Sequence, residues 1–527
     1  MSKSISATAI AQLESALLHR NVREGFAALD AALDGSPKFN RCAPHTIQFL
    51  LCLAQWTDLG YRDLSFLEQN IAGLRNVRQD RLPVLDFFRL RLIDAYGALA
   101  NEQFEDSIAI LDLVLRAGSS VLPNYLVFLG HFWKGRAHRK RGDYERAQVH
   151  IRQAREMATS MKAPRLVAVT QIHESWLAFQ RGERTYAFQL LDSAEKTLKP
   201  TGHALSLGNI ESARGRFVRR SGEYTRALWH FESAITLYSK SYPKHPNLAR
   251  ALVNAAYVKR LIALDLLPRR GSEQALGAVH AKFLKISREA LELLNQAGQI
   301  YTYHQHQGGT GSVLVNTAHI HLESGDIDQA EAEAQRAFSL GQQKDDLILM
   351  ARAQIVRGAV SLARAEEQLG EEHDIALHAN LAAQQSDSAI EMAHKTQNNR
   401  LIAEAYIARG MVSAGDYFRE WQEAGDFASK AAALLSPDDR DHLLKTLGDL
   451  KSKLLGITRV DETLRLWSDG QTGQKTFQQV QEEFAELVIP KVWLRSGKNV
   501  TLVAKTLRIS PKKVRRILRN VSNPPAT

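Results

Sequence analysis

One pattern recurs along the chain: a glycine, an acidic residue, usually a bulky residue, and then small residues on one side of an apolar stretch. The clearest copies are Gly142-Asp143-Tyr144 with Ala147, Ile151 and Ala154; Gly182-Glu183 with Ala187, Leu191 and Ala194; Gly222-Glu223-Tyr224 with Ala227, Phe231 and Ala234; and Gly325-Asp326-Ile327 with Ala330, Ala334 and Ala337. The first three glycines are 40 residues apart, and a degraded copy begins at Glu102, 40 residues before Gly142. Such self-similarity is the signature of a repeat architecture.

Each copy predicts a pair of helices joined by a tight turn. Glycine ends the first helix in a left-handed conformation that larger residues avoid. The acidic residue favours the start of the second helix through the helix dipole, and alanines seven residues apart let two helices cross closely. Alternating apolar and polar residues are rare and no Asn-Gly turn occurs, so β-structure is not expected.

The pattern resembles the tetratricopeptide repeat (TPR), whose usual period is about 34 residues. The resemblance covers roughly residues 10–450 and is clearest between 100 and 340. We also interpret Gly425-Asp426-Phe427, followed by Ala431, as a last copy. The resemblance implies an all-α, TPR-like helical-hairpin solenoid whose concave surface binds a protein, a peptide or, less often, a small effector.

Positive charge is concentrated at the carboxyl end. The 37 residues from Lys491 to Thr527 contain ten lysines and arginines and no acidic residue, whereas the other 490 residues carry 58 basic and 57 acidic residues. Charge confined to one short segment indicates a module that binds a polyanion.

This basic segment predicts a short helix, a turn and a second helix. Asn499 is a suitable N-cap for a helix over residues 500–507, and Ser510 followed by Pro511 is typical of a helix start. After a three-residue turn the last helix runs from Pro511 to about Val521. Because Val514, Ile517 and Leu518 form one apolar stripe, the basic residues of that helix point away from the core. This is the helix-turn-helix plan, in which the second helix enters the major groove.

The stretch from Gly497 to Leu518 resembles the Fis-type helix-turn-helix of bacterial regulators, which also closes the NtrC class of activators. Arg508 stands where that family has a turn glycine, Val503 replaces the first alanine of a pair, and Pro511 and Lys513 replace residues often used for DNA contacts. The resemblance implies that the domain forms a homodimer through the preceding helix, expected over about residues 477–494. The residues expected to contact double-stranded DNA are Asn499, Thr501, Lys505, Ser510, Lys512, Lys513, Arg515, Arg516 and Arg519.

Motifs for chemistry are not found in the sequence. A phosphate-binding P-loop is missing, so the ATPase domain of NtrC-class activators is excluded. We interpret Gly308-Gly309-Thr310-Gly311 as an interhelix loop, and we do not expect His304, His306, His319 and His321 to bind a metal, because residues two apart diverge on a helix. The two cysteines, Cys42 and Cys52, and the lack of an apolar membrane span favour a cytoplasmic protein without a disulfide framework. No cofactor and no enzymatic activity are expected.

The expected organisation is a solenoid over residues 1–455, a linker over 456–475 and a Fis-type DNA-binding domain over 476–527. We therefore expect a bacterial transcriptional regulator in which the solenoid binds an effector and controls the DNA-binding end. The alternative is a non-enzymatic protein-interaction scaffold whose basic helices bind an acidic partner or dimerise. An RNA-binding adaptor is a weaker option, since the tail lacks stacking aromatic residues.

Overall fold

The computed structural model describes residues 5–33, 45–72, 82–201, 203–241, 243–266, 276–367, 372–396, 398–436, 438–457, 467, 473, 475–496 and 498–522. Within these ranges every regular element is a helix. The chain divides into two compact units, Met1–Leu447 (unit 1) and Gly448–Thr527 (unit 2). Most of the linker expected over residues 456–475 lies outside the described residues, and the expected domain boundaries stay a prediction.

The helices of the described part up to the unit division run in chain order. They are α1 (Ala7–Leu18), α2 (Val22–Leu33), α3 (Thr46–Asp58), α4 (Leu64–Ile71), α5 (Val84–Ala100), α6 (Phe104–Val121), α7 (Asn124–Arg141), α8 (Tyr144–Ser160), α9 (Pro164–Gln180), α10 (Arg184–Leu198), α11 (Ala204–Arg220), α12 (Tyr224–Ser241), α13 (Pro246–Leu266), α14 (Leu276–Tyr303), α15 (Gln307–Glu323), α16 (Ile327–Lys344), α17 (Leu347–Glu367), α18 (Glu372–His394), α19 (Asn399–Ser413), α20 (Trp421–Leu434) and α21 (His442–Ile457). The last of these spans the division between the units.

The repeat pattern forms helix hairpins as the sequence predicts. Gly142, between α7 and α8, has a φ of 93° and ends α7 in the left-handed region. The following Asp143 does more than favour the helix dipole, because its carboxylate accepts a hydrogen bond from the Arg146 N–H at 3.1 Å. Asp326 caps α16 in the same way, accepting a hydrogen bond from the Gln329 N–H at 3.4 Å, whereas Glu183 makes no such hydrogen bond to α10.

Small residues let the two helices of a hairpin approach closely. Ala147 and Ala154 of α8 are fully buried, as are the matching alanines of α10, α12 and α16. On the facing helix, a Cβ atom added at Gly135 would lie 2.8 Å from the Ile151 side chain, so only glycine fits there. Close packing of this kind removes apolar surface from water along the whole array.

The degraded first copy and the last copy both use a residue other than glycine at the turn. Glu102 has a φ of 63° and α6 follows it, as the pattern predicts. The interpretation of Gly425 as a turn residue is wrong, since Gly425 lies inside α20. Arg419, with a φ of 53°, occupies the turn instead, and Ala424 and Ala431 are the buried small residues seven apart. The repeat is present, six residues earlier than the glycine suggested.

A buried ionic cluster joins distant hairpins of unit 1. The carboxylate of Asp439, which follows α20, is 1% exposed and binds Arg184 at 2.7 Å, Arg220 at 2.8 Å and Arg400. The next residue, Arg440, donates its backbone N–H to the Arg220 carbonyl at 2.9 Å. We call this loop, residues 438–441, the clasp. Its backbone lies so close to Gly222 that an added Cβ would be 2.5 Å from the Arg440 carbonyl oxygen.

Candidate nucleic-acid interface

Unit 2 contains three further helices in its described part: α22 (Phe477–Arg495), α23 (Val500–Leu507) and α24 (Pro511–Ser522). They pack around a small apolar core whose most buried members are Ile489, Val503, Val514 and Ile517. Ala485, Val492 and Trp493 add the remaining contacts from α22. Each of the three helices contributes to this core, and it therefore fixes their mutual arrangement.

The apolar side chains of α22 fall into two groups. Ile489 and its neighbours face the core, whereas Phe477 is 77% exposed and Phe484 is 50% exposed. Pro490 lies within the helix without ending it. One side of α22 therefore builds the module, and another presents large apolar side chains to solvent.

The short helix α23 begins where the sequence predicts. The Asn499 side-chain oxygen accepts hydrogen bonds from the N–H groups of Thr501 at 3.0 Å and Leu502 at 3.1 Å. Such a cap satisfies amides that the first turn leaves without partners. Gly497, the first residue of the recognised motif, lies outside the described residues.

The turn after α23 closes without glycine. Arg508 takes left-handed angles, φ 52° and ψ 41°, and the Ile509 N–H donates to the Ala504 carbonyl at 3.0 Å. Arg508 thus adopts the conformation of the turn glycine that the Fis-type motif has at this position. A non-glycine residue in this region costs on the order of 1 kcal/mol, which the packing of the two flanking helices offsets.

The final helix α24 begins at Pro511 and is capped by Ser510. The Ser510 hydroxyl accepts a hydrogen bond from the Lys513 N–H at 3.2 Å. Val514 and Ile517 are buried, and Leu518 packs against the same core. The apolar stripe derived from the sequence is thus the face that α24 buries.

All the residues predicted to contact DNA are exposed. They are Asn499, Thr501, Lys505, Ser510, Lys512, Lys513, Arg515, Arg516 and Arg519. Among the ion pairs of the described residues, one involves this set: Arg516 and Glu482 lie 3.8 Å apart with both side chains more than half exposed. An exposed pair at that distance contributes at most about 1 kcal/mol and leaves Arg516 available to a phosphate.

The histidines that the sequence singled out serve the packing of unit 1. His306 caps α15 by accepting a hydrogen bond from the Gly309 N–H at 2.9 Å, and His321 lies 3.4 Å from Asp326. Burial and then the nearby Arg260 and Arg352 hold the pKa of His319 well below its usual value. In the described part of the chain, no group of three or more histidine, cysteine or acidic side chains could hold a metal ion.

The interpretation of Gly308-Gly309-Thr310-Gly311 as an interhelix loop is wrong. These residues form the first turns of α15, and their small size serves close contacts rather than a loop. A Cβ at Gly309 would lie 2.5 Å from the Tyr301 ring, and one at Gly311 would lie 2.3 Å from Leu349. Only glycine fits at these two positions, because neighbouring side chains occupy the space that a Cβ would need.

The two cysteines give no sign of a reactive thiol among the described residues. Cys52 is buried in α3, and burial raises the pKa of its thiol. Cys42 lies outside the described residues. No helix of the described part is both long enough and apolar enough to cross a bilayer.

Two features of unit 1 were not predicted from the sequence. One is the clasp, whose aspartate and arginines lie as much as 255 residues apart in the chain. The other is a set of basic side chains on neighbouring helices, Arg139 and Lys140 on α7, Arg216 on α11 and Arg250 on α13, which the repeat pattern does not mark.

No family model and no curated protein matches this chain. Among solved structures, a Rap protein complexed with Competence and Sporulation Factor is similar over 84% of this chain and 98% of its own, at 12% identity and a TM-score of 0.47. The apo form of the quorum sensor NprR from B. thuringiensis is similar over 72% of this chain and 97% of its own, at 13% identity and a TM-score of 0.46. A monomeric IFIT1 mutant with Gppp-AAAA is similar over 81% of this chain and 87% of its own, at 13% identity and a TM-score of 0.45. The expected all-α class of helical hairpins is confirmed by the helices of the described residues themselves.

Proposed function

We propose that this chain is a bacterial DNA-binding transcriptional regulator, in which unit 1 binds an effector and controls a helix-turn-helix formed by α22–α24. The observation that supports it most directly is the construction of α24. Val514 and Ile517 of its apolar stripe are buried, and the opposite residues Lys512, Arg516 and Arg519 are exposed and basic. A helix built in this way can enter the major groove while its core side stays anchored.

The exposed residues would divide between two tasks. Lys512, Lys513, Arg515 and Arg516 lie on or beside the face that would enter the groove, where arginine and lysine can bind guanine edges. Asn499, Thr501 and Ser510 lie at the starts of α23 and α24, where the helix ends and their amides favour phosphates. Lys505 and Arg519 add phosphate contacts on either side.

The exposed apolar face of α22 supports a homodimer through unit 2. Phe477 and Phe484 are seven residues apart and therefore lie on one side of the helix. A second copy of the same helix would cover both rings and place two recognition helices on one duplex. Two half-sites of an operator would then be read together.

The role proposed for unit 1 is effector binding without catalysis. Stacked helix hairpins create an extended inner surface that suits a peptide or protein segment or a small molecule. Neither a cofactor nor an enzymatic step is part of the proposal. The chain would act in the cytoplasm, where regulators of this class meet DNA.

Binding of the full chain to fluorescent duplex DNA, followed by anisotropy over a range of salt concentrations, tests the proposal. Replacing Lys512→Ala and Arg516→Ala together should weaken binding at least about tenfold and flatten the salt dependence by about one to two counterions. A matched variant, Arg226→Ala with Arg336→Ala, removes two exposed charges from unit 1 and should leave both quantities unchanged. Equal affinity of the native protein and both double variants would show that α24 does not contact DNA, and it would favour the scaffold alternative.

A further inference from the structure

The clasp connects helices that lie far apart in the chain. On one side, Asp439 binds Arg184 at the start of α10 at 2.7 Å and Arg220 at the end of α11 at 2.8 Å. On the other side, Arg400 of α19 binds both Asp439 and Asp441. The side chains of the two aspartates are buried, with 1% and 9% of their surface exposed. One short loop therefore bridges α10 and α11 to α19.

A second ion pair connects the next helix to α13. Lys445, in the first turn of α21, binds Asp265 near the end of α13. Leu447 and Leu450 of α21 are buried. Among the described helices, however, α20 packs along α19, whereas no helix packs along α21 to a comparable extent. We therefore expect the position of α21 to depend on the clasp, which it directly follows, and on this ion pair.

The contacts that close the clasp are polar. Besides the ion pairs of Asp439, the Arg440 N–H donates to the Arg220 carbonyl at 2.9 Å. Charged groups lose hydration when they are buried, and this cost cancels much of their attraction. The Nε of Arg220 and the Oδ1 of Asp441 are buried and have no hydrogen-bond partner among the described residues. Such a network stabilises the closed state less than apolar packing of similar size does.

The helices that the clasp connects belong to separate apolar cores. Phe179 of α9 and Phe217 of α11 stack with their ring centres 4.0 Å apart inside the core of α9–α11. A second core holds α17–α19 together through residues such as Ala389 and Ala405. Neither core includes a residue of the clasp. Separation of the clasp from its arginines would therefore leave both cores packed.

We propose that the clasp is a releasable lock. Residues 438–441 separate from Arg184 and Arg220 while the hairpins stay folded, and α21 is released with them. The chain passes from unit 1 to unit 2 within α21. A ligand that changes the spacing between α10–α11 and α19 would thus change the fraction of molecules in which α21 is held. The lock deepens the proposed function by naming the contact through which unit 1 would act, and it rests on that function only for its regulatory meaning.

Hydrogen exchange of the full chain, followed by mass spectrometry, tests the lock. In the native protein, residues 438–450 should exchange faster than the buried amides of α7 and α8, because the clasp opens without global unfolding. Arg184→Gln with Arg220→Gln removes two partners of the clasp. Exchange of residues 438–450 should then speed up at least about tenfold, while that of α7 and α8 changes less than about twofold. Arg181→Gln with Arg226→Gln, the matched control, removes two exposed ion pairs near the same turns and should leave exchange as in the native protein.

Trypsin cleavage after Arg440 gives a second readout. The protease needs the backbone of the clasp to be free, so the cleavage rate should follow the open fraction. This rate should rise at least about tenfold in the Arg184→Gln, Arg220→Gln protein and stay unchanged in the control. Equal rates in all three proteins, or faster exchange that extends equally to α7 and α8, would overturn the proposal. Neither measurement uses DNA, so failure of DNA binding would leave both results as they stand.

Discussion

At the scale of single residues, local rules of helix capping explain most of unit 2. Asn499 and Ser510 cap α23 and α24 as their residue types predict, because a short oxygen-bearing side chain can reach the amides of the next turn. Arg419 and Arg508 show the limit of such rules. Both take left-handed angles that sequence patterns assign to glycine, and packing of the flanking helices selects them.

Replacing Arg508→Gly should therefore stabilise unit 2. Glycine adopts φ near 52° without the clash between Cβ and the backbone, which is worth up to about 1 kcal/mol after its larger loss of chain entropy is included. Hydrogen exchange of the amides of α23 and α24, measured by mass spectrometry, would measure the difference. Arg515→Gly, at an exposed position inside α24, should instead destabilise the unit by about 1 kcal/mol. Destabilisation by Arg508→Gly would show that the arginine side chain contributes more than its backbone conformation costs.

At the scale of elements, the hairpins of unit 1 follow from the sequence and their long-range contacts do not. The alanine and glycine positions predict which faces of α7–α12 and α16 pack together, because only small residues allow that distance. The clasp has no comparable pattern. Asp439 follows a short polar stretch that is typical of an ordinary turn. Its partners lie on α10, α11 and α19, and the sequence alone does not predict that these helices meet.

Asp439→Asn should destabilise unit 1 strongly. Three guanidinium groups would then surround a neutral amide, and breaking buried ion pairs typically costs about 3 to 5 kcal/mol. Urea unfolding followed by circular dichroism would measure the loss. Asp438→Asn, on the exposed preceding residue, is the matched control and should change stability by less than about 0.5 kcal/mol. Equal effects of the two substitutions would mean that the clasp adds nothing beyond surface charge.

At the scale of the whole molecule, the sequence predicts those features that depend on residues close together in the chain. Repeats and amphipathic helices depend on neighbours close in the chain, so the all-α class, the hairpins and the three helices of unit 2 could be derived. The clasp depends on how hairpins stack, which one repeat does not encode. Gly425 and the glycine-rich start of α15 were misinterpreted because composition alone does not separate a turn glycine from one that permits close packing.

Two half-buried histidines should make unit 1 sensitive to acid. Burial, with the charge of Lys134, lowers the pKa of His131 and of His150 to about 4, and their Nδ1 atoms lie 3.0 Å apart. The unfolded chain takes up these protons near the ordinary histidine pKa of about 6.5, so stability should fall as pH drops from about 6.5 towards 4. Urea midpoints measured across this range should show the decline. The decline in stability should be smaller in the double variant His131→Gln, His150→Gln than in the native protein. The exposed control His280→Gln should show the same decline as the native protein. Identical slopes in all three proteins would contradict the account.

The most direct measurement of the central claim is sequencing of the DNA that the full chain selects from a random duplex library. The account predicts two half-sites about one helical turn, or a multiple of it, apart for the native protein. Phe484→Glu should leave half-sites without fixed spacing, because the exposed face of α22 could no longer pair. Lys512→Ala with Arg516→Ala should select no sequence. Selection by this last variant as strong as that of the native protein would show that α24 does not read DNA.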